Sequence, residues 1–331
     1  MGGKALKIHG VETERKETID FLRICKEVEP ILNEFGITTH PVKCYHEKAT
    51  HGDLDLLLKM TQETHDNNID LRKIIENEFK PTAIHNGGGV YSFDYDNFQI
   101  DFIPCKEKNW ECSKAFFDYD PSGNLMGKTS HKFGLKYGFE GLKLPFRNFN
   151  GNNPQDIDIS KDIEKIFTFL GYDFTRYSKG FDNLIEIFDW TISSKYFDSS
   201  GFQYENLNHI DKKRNRKRST YNEFLEYIEG NKTEYKFKKK SDYIEDINDY
   251  FPEANLVPKL AELERKDKEN SLMAEKFNGK LIMENTNLKG KELGDAIRKF
   301  KQHIGSVENW REYALKESSA QIIKDFLLFS H

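Results

Sequence analysis

Three aspartates in two short stretches are the residues of this chain best placed to do chemistry. Asp53 and Asp55 sit in His51-Gly52-Asp53-Leu54-Asp55-Leu56-Leu57-Leu58, and Asp101 in Gln99-Ile100-Asp101-Phe102-Ile103. Residues two apart on a β-strand share a face, so Asp53 and Asp55 project side by side with Cα atoms about 6.5 Å apart. The alternating stretch from Phe98 to Ile103 brings Asp101 to face them if the two strands are neighbours. Three converging carboxylates repel one another unless a divalent cation neutralises them. Magnesium is the usual hard ion for oxygen ligands, with manganese as the alternative. Such a constellation outlines a two-metal phosphoryl-transfer site. The pair Asp53 and Asp55, taken alone, also reads as two solvated acids at a strand end; Asp101 shifts the balance toward a site.

The elements that must hold these side chains follow from the pattern around them. Leu54 and the run from Leu56 to Leu58 mark a strand buried in a sheet. Ile37 to Tyr45 reads as a strand before it, and the residues through Gly52 as the active-site turn. From Thr13 to Phe35, the spacing of Ile19, Leu22, Cys25, Val28, Ile31 and Leu32 predicts an amphipathic helix, kinked or split at Pro30 and closed by Gly36. Ile69 to Phe79 predicts a second helix, ended by Pro81. Gly87-Gly88-Gly89 has no helix signal after it, so a hairpin turn is a better reading than a phosphate loop. Asp94 and Asp96 repeat the two-residue spacing, but Asp94-Tyr95-Asp96-Asn97 has turn composition and no apolar run to bury it. That pair is set aside. Residues 1 to 12 read as a flexible tail in preference to an arm folded onto the catalytic head.

In order and spacing, these features resemble the polymerase-β-type nucleotidyltransferase superfamily: Gly52-Asp53-Leu54-Asp55 followed by apolar residues, then Ile100-Asp101-Phe102-Ile103-Pro104 on a later strand. Ala115-Phe116-Phe117, Asn124, Lys128 and Leu135-Lys136-Tyr137-Gly138-Phe139 are similar to the family-X polymerase segment that contacts the incoming nucleotide. Asn278-Gly279-Lys280-Leu281-Ile282 and Leu288-Lys289-Gly290-Lys291-Glu292-Leu293-Gly294 resemble the C-terminal body of CCA-adding enzymes and bacterial poly(A) polymerases. The main resemblance covers residues 37 to 145. It implies transfer of a nucleoside monophosphate from a nucleoside triphosphate to an acceptor hydroxyl, with release of pyrophosphate. Asp53 and Asp55 would bridge two magnesium ions, and Asp101 would bind the one that lowers the pKa of the acceptor hydroxyl. Gly52, Phe116, Phe117, Asn124 and Lys128 would line the nucleotide. The superfamily's Gly-Ser pair, which cradles the triphosphate upstream of the first aspartate, is absent. The window reads Val42-Lys43-Cys44-Tyr45-His46-Glu47-Lys48. Either other backbone amides hold the phosphates there, with Lys43 and Lys48 supplying charge, or nucleotide binding is lost.

A length of 331 residues allows two or three domains, and 13% aromatic residues argue for folded structure despite 32% charged residues. The net charge of −5 leaves any nucleic-acid binding to local patches. Cys25, Cys44, Cys105 and Cys112 show no paired metal spacing and are too few for a disulfide scaffold, which points to a reducing compartment. No apolar run reaches the roughly 20 residues needed to span a bilayer, and the start lacks a signal-peptide core. The expectation is a soluble cytoplasmic protein with no membrane partner. A Walker loop, a Gly-x-Ser-x-Gly elbow and a two-histidine helical metal spacing are all missing. His51, though next to the motif, reads as structural.

Beyond Pro154 the texture becomes helical. Ser160 is expected to cap a helix stopped by Gly171, Phe181 to Phe197 forms another, and Thr220-Tyr221-Asn222-Glu223 opens a third as a capping box. Pro258 starts a long charged helix and Ser306 caps the first of the final ones. The chain therefore reads as α+β: an N-terminal arm and helix (1–36), a mixed-sheet nucleotidyltransferase head (37–150) and a mainly α-helical acceptor-binding body (151–331). Two basic clusters lie on that body. Lys212, Lys213, Arg214, Arg216, Lys217 and Arg218 form the first, and Lys236, Lys238, Lys239 and Lys240 the second, with Tyr221, Tyr235 and Phe237 interleaved. Clustered cations bind a phosphate backbone by releasing counterions, and aromatic rings add stacking; a solvated loop is the plain alternative. The head-first order and these clusters favour the 3′ end of RNA, tRNA among the candidates, as acceptor. Two alternatives remain: transfer to a protein or small molecule, and a non-catalytic protein that keeps the fold to bind nucleic acid or a partner.

Overall fold

The apolar residues of the Asp53 strand are buried at the centre of a five-stranded mixed sheet. In the computed structural model, which describes residues 3–148, 155–231 and 233–330, the strands are β1 (Thr38–Pro41), β2 (Asp53–Met60), β3 (Ile84–Gly87), β4 (Val90–Tyr95) and β5 (Phe98–Lys106). Their spatial order is β1-β2-β5-β4-β3. β2 and β5 are parallel and the other pairings antiparallel. Leu54, Leu56, Leu57, Leu58, Ile100 and Phe102 have no exposed surface. That doubly covered central pair is why the strand reads as a continuous apolar run. Gly88 and Gly89 turn the β3–β4 hairpin with φ of +64° and +89°, a left-handed pair that glycine adopts without strain.

Helix α1 (Thr18–Glu34) packs on this sheet through Phe21, Ile24, Cys25, Val28 and Leu32. The expected stripe is only partly right, since Ile19 and Leu22 are 76% and 51% exposed. Phe21 and the residues 3, 4, 7 and 11 positions after it define the core face; Ile19 lies about 200° away around the helix. Pro30 stands inside α1 without splitting it. It falls in the last turns, where one lost backbone donor is tolerated beside the buried anchor Leu32. Gly36 (φ +71°) ends the helix, with its amide on Asn33 and that of Ile37 on Leu32. The stretch 69–79 divides into a short helix, Leu71–Ile74, and a π-helical turn, Ile75–Phe79, with Asp70 as N-cap. A short helix at Gln62–Asp66 precedes it.

The strand expected over 37–45 ends at Pro41; the Val42 amide still donates to the Asp55 carbonyl of β2, and from Lys43, whose amide donates to Asp118, the chain turns away. Residues 3–12 are not a tail: Ala5–His9 forms a 3₁₀ turn with Leu6 buried, while Met1 and Gly2 lie outside the described residues.

The chain divides into two compact units, residues 1–145 with 158–254, and 146–157 with 255–331. The boundary expected at 150/151 lies outside the described residues, and the helices up to Ala254 belong with the sheet. In the first unit, α2 (Trp110–Phe117), α3 (Ser122–Lys132), the hairpin β6 (Lys136–Gly138)–β7 (Gly141–Phe146), α4 (Leu184–Ile192), α5 (His209–Asn215) and α6 (Ser219–Tyr227) follow β5. Leu125, Phe188, Phe202, Tyr221 and Phe224 form their shared core. Two caps differ from expectation. Asp162, not Ser160, accepts the amide of Lys165, and the Thr220 box does not form because α6 already begins at Ser219. The second unit is a helical bundle: α7 (Leu256–Lys276), α8 (Gly279–Asn285), α9 (Gly290–Ile304), α10 (Val307–Lys316) and α11 (Ser319–Ser330). It closes around Phe277, Ile282, Phe300, Trp310, Ile322 and Phe326. Ser306 caps α10 as expected, and Asn309 completes a reciprocal capping box with it. The architecture is α+β, and among the described residues no helix is long and apolar enough to cross a membrane.

Candidate active site

The register of the parallel pair brings the aspartates together. Asp55 lies opposite Asp101 and Asp53 opposite Gln99, so the Asp-x-Asp of β2 meets a Gln-x-Asp on β5. Ligand oxygens of Asp53, Asp55 and Asp101 all lie within 4.8 Å of one another. The chemistry of the donor set, three carboxylates and nothing softer, fits a divalent cation. Asp101 is further held by the Nε2 of Gln99 at 2.8 Å and by Ser92, its neighbour across the β4–β5 pair.

Burial and like charge make this cluster costly without a cation. Burial pushes the Asp55 carboxyl well above the usual carboxylate range, and the charges of Asp53, Asp101 and Asp120 push the same way, against Lys48. Asp101 is pushed up to about 6, chiefly by burial and secondarily by Asp53, against Ser92, Gln99 and His85. His51 is stacked on Phe21 at 3.9 Å, and burial, then Lys48 and Arg15, lower its pKa to about 4. It is a neutral packing residue near pH 7, in line with its reading from sequence.

In the loop that follows β1, four backbone amides are already engaged. The amide of Lys43 donates to Asp118, that of His46 to the Phe181 carbonyl, that of Glu47 to Asp182 and that of Lys48 to Tyr45. Those four amides already have acceptors within the chain. Lys48 is half-buried and acts electrostatically on Asp55, whereas Lys43 is exposed. Gly52 is buried between the loop and β2.

Phe116 and Phe117, on α2, are half-buried and form a cluster with Phe139, which is 49% exposed and stacks on Phe117 at 6.1 Å. Gly123 fits because a Cβ there would lie 2.2 Å from the Phe116 carbonyl oxygen. Asn124 and Lys128 each have a partner within the chain. Asn124 donates to Asn215 at 3.1 Å, and Lys128, 5% exposed, pairs with Asp211 at 2.6 Å. Both side chains face α3's neighbour α5 and hold it, because the α3 face that carries them is covered by that helix.

The first basic cluster spans α5 and the start of α6. Lys213, Arg214, Arg216 and Lys217 are exposed, Lys212 donates to the Glu205 carbonyl, and Arg218 pairs with Asp120 at 3.5 Å. Thr220 also donates to Asp120, whose charge reaches Asp55. The cluster therefore belongs to the unit that carries the aspartates, joined to them through Asp120. In the second cluster Lys236, Lys239 and Lys240 are exposed while Lys238 pairs with Asp246. Of the interleaved rings, Tyr221 is fully buried and Phe237 packs on Phe133, which leaves Tyr235 as the ring with exposed surface. Sequence reading missed Gln99, Ser92 and Asp120. Gln99 carried a signal, since it stands two residues before Asp101 on the same strand face.

No protein-family model matches the chain, and no curated protein matches it. Among solved structures it is similar to a ternary primer–template complex of Leishmania infantum polymerase beta, at 12% identity and a TM-score of 0.38, over 49% of this chain and 74% of that one. A likeness of that degree says nothing about activity.

Proposed function

We propose that this protein transfers a nucleoside monophosphate from a nucleoside triphosphate to an acceptor hydroxyl, releasing pyrophosphate. The observation that carries the reading is the Asp55–Asp101 register, which gathers three carboxylate ligands at one point on the sheet. Asp53, Asp55 and Asp101 would hold two magnesium ions, or manganese. Bound there, the ions would make the acceptor hydroxyl a better nucleophile and neutralise charge on the phosphates. Lys48 places a cation beside the carboxylates, and Lys43 on the same loop adds a second toward the triphosphate. Phe116, Phe117 and Phe139 offer ring faces to the base and sugar. Gly52 keeps the loop close to β2. Asn124 and Lys128 are left out of this set, because they anchor α5.

The acceptor we infer is the 3′ end of an RNA, with tRNA among the candidates. Support comes from the exposed Lys213, Arg214, Arg216 and Lys217, which share a compact unit with the aspartates. Incubation with labelled nucleoside triphosphates, magnesium and separate pools of RNA, DNA, proteins and small hydroxyl compounds tests both steps. Label in RNA is expected. Label in another pool would keep the reaction and replace the acceptor, and no label in any pool, with no nucleotide binding by calorimetry, would remove the enzyme reading. Changing those four residues together to glutamine should weaken RNA binding and flatten its log–log salt dependence, by about 0.7 for each single-strand phosphate no longer neutralised.

A further inference from the structure

We propose that the amino-terminal segment is part of the carboxylate centre: the amide of Gly3 and, through Gln99, the amide of Ala5 hold Asp53 and Asp101 in the orientation that receives a divalent cation. The proposal rests on the metal reading of the three aspartates given above. The Gly3 amide donates to Asp53 Oδ2 at 3.0 Å. The Ala5 amide donates to Gln99 Oε1 at 3.0 Å, and Gln99 passes a hydrogen bond from its Nε2 to Asp101 Oδ1 at 2.8 Å. Gln99 is 2% exposed and stands opposite Asp53 across the parallel pair, so one side chain joins the arm to both strands of the site.

The arm is seated, not merely adjacent. Leu6 is 1% exposed, the Thr13 hydroxyl donates to the Gly3 carbonyl at 3.1 Å, and the His9 ring lies 5.5 Å from that of His85 on β3. A Cβ at position 3 would fall 2.3 Å from the Gly52 carbonyl oxygen, and φ is +73°. Both facts call for glycine, since the clashing atom is backbone of the turn that leads into β2 and cannot swing aside.

The chemistry explains why neutral donors suit this place. A hydrogen bond on one carboxylate oxygen fixes the group's rotation and leaves the other oxygen for a cation, as outer-shell donors do around metal sites. A lysine there would neutralise the carboxylate and compete with the cation. An amide orients it without doing so. Gly3, Ala5 and Gln99 are positioning residues; none would touch the reacting atoms.

The test measures Mn²⁺ binding to the 331-residue chain by electron paramagnetic resonance, without nucleotide, so that it does not depend on activity. Gly3→Ala and Gln99→Leu should each weaken Mn²⁺ binding about tenfold. Because a Cβ at position 3 meets the Gly52 backbone and Gln99 is buried, the metal-free melting temperature of each variant is measured as well, and Mn²⁺ affinities are compared at a temperature where both variants are folded. Asp53→Asn and Asp101→Asn are the reference. If they bind Mn²⁺ as tightly as the parent, the metal reading itself fails. If they lose Mn²⁺ while Gly3→Ala and Gln99→Leu bind like the parent, this inference alone is overturned. Tighter binding by Gly3→Ala would also overturn it, by showing that the arm competes with the cation.

Discussion

Asp53-Leu54-Asp55 and Asp94-Tyr95-Asp96 carry the same residue spacing in one sheet, yet the fold gives them opposite electrostatics. Asp55 is half-buried on the inner strand β2, facing Asp101 on the central strand β5, and the charges that reach it are mostly of its own sign. Asp94 sits near the end of β4. Burial alone would raise its pKa, but the amides of Ala83 and Thr82 donate to it and hold it below the usual range. Asp96, in the turn at φ +53°, is held low by its hydrogen bond from Arg23, with Lys16 also near. One pair is left to be neutralised from outside the chain, and the other is already satisfied by the chain. Spacing sets which side chains share a face, whereas the neighbouring strand decides whether they form a site.

The largest expected effect separates the pairs by catalysis. Asp53→Asn, Asp55→Asn and Asp101→Asn should each lower nucleotidyl transfer at least several-hundred-fold, the scale of losing a major electrostatic contributor. Asp94→Asn and Asp96→Asn should leave it within about twofold of the parent by the same radiolabel assay. Equal losses from both pairs would erase the contrast.

A second effect is on pH dependence. Asp101 rises from an ordinary value of 3.8 to about 6 in the folded protein. Between those values the native state keeps a proton that the unfolded chain has lost, so the contribution of this group to metal-free stability falls as pH rises through that window. A cation must displace the proton, so magnesium affinity should climb as pH rises toward and past 6. Calorimetric titrations across pH 5 to 8 would show this, and a flat profile would contradict it. The melting temperature of Asp101→Asn, relative to the parent, should rise with pH over the same range when no metal is present. Asp94 and Asp96, shifted downward, should instead stabilise above their unfolded pKa and lose that contribution only as pH falls through their lowered values.

The smallest effects are on stability at neutral pH, and they run in opposite directions. Asp55→Asn should raise the metal-free melting temperature, because it removes a carboxyl that burial and the neighbouring Asp53, Asp101 and Asp120 make costly to ionise. Asp94→Ala should cost about 1 kcal/mol by leaving two amides without their acceptor, and Asp96→Asn less than about 1 kcal/mol, as for an exposed ion pair. Chemical denaturation of the three variants with chelator present gives these signs directly.

The two strands that carry the aspartates, the apolar burial of β2, the Gly88-Gly89 hairpin, the helical second half and the three aspartates were all legible in the residues alone. Each of these is written in local periodicity or in residue types at fixed spacing, which a chain expresses wherever it folds. Long-range packing settled the rest, beginning with which strand lies beside β2, and hence that Asp55 meets Asp101. It also spent Asn124 and Lys128 on α5, buried Tyr221, ran α1 through Pro30 and brought Gly3 onto Asp53. Those outcomes depend on pairings between residues far apart in the chain, 46 positions for Asp55 and Asp101 and 50 for Gly3 and Asp53, or on which helix face another element covers. No local pattern records such partners, because the hydrogen bond from Gly3 to Asp53 exists only once the sheet has fixed where the aspartate stands.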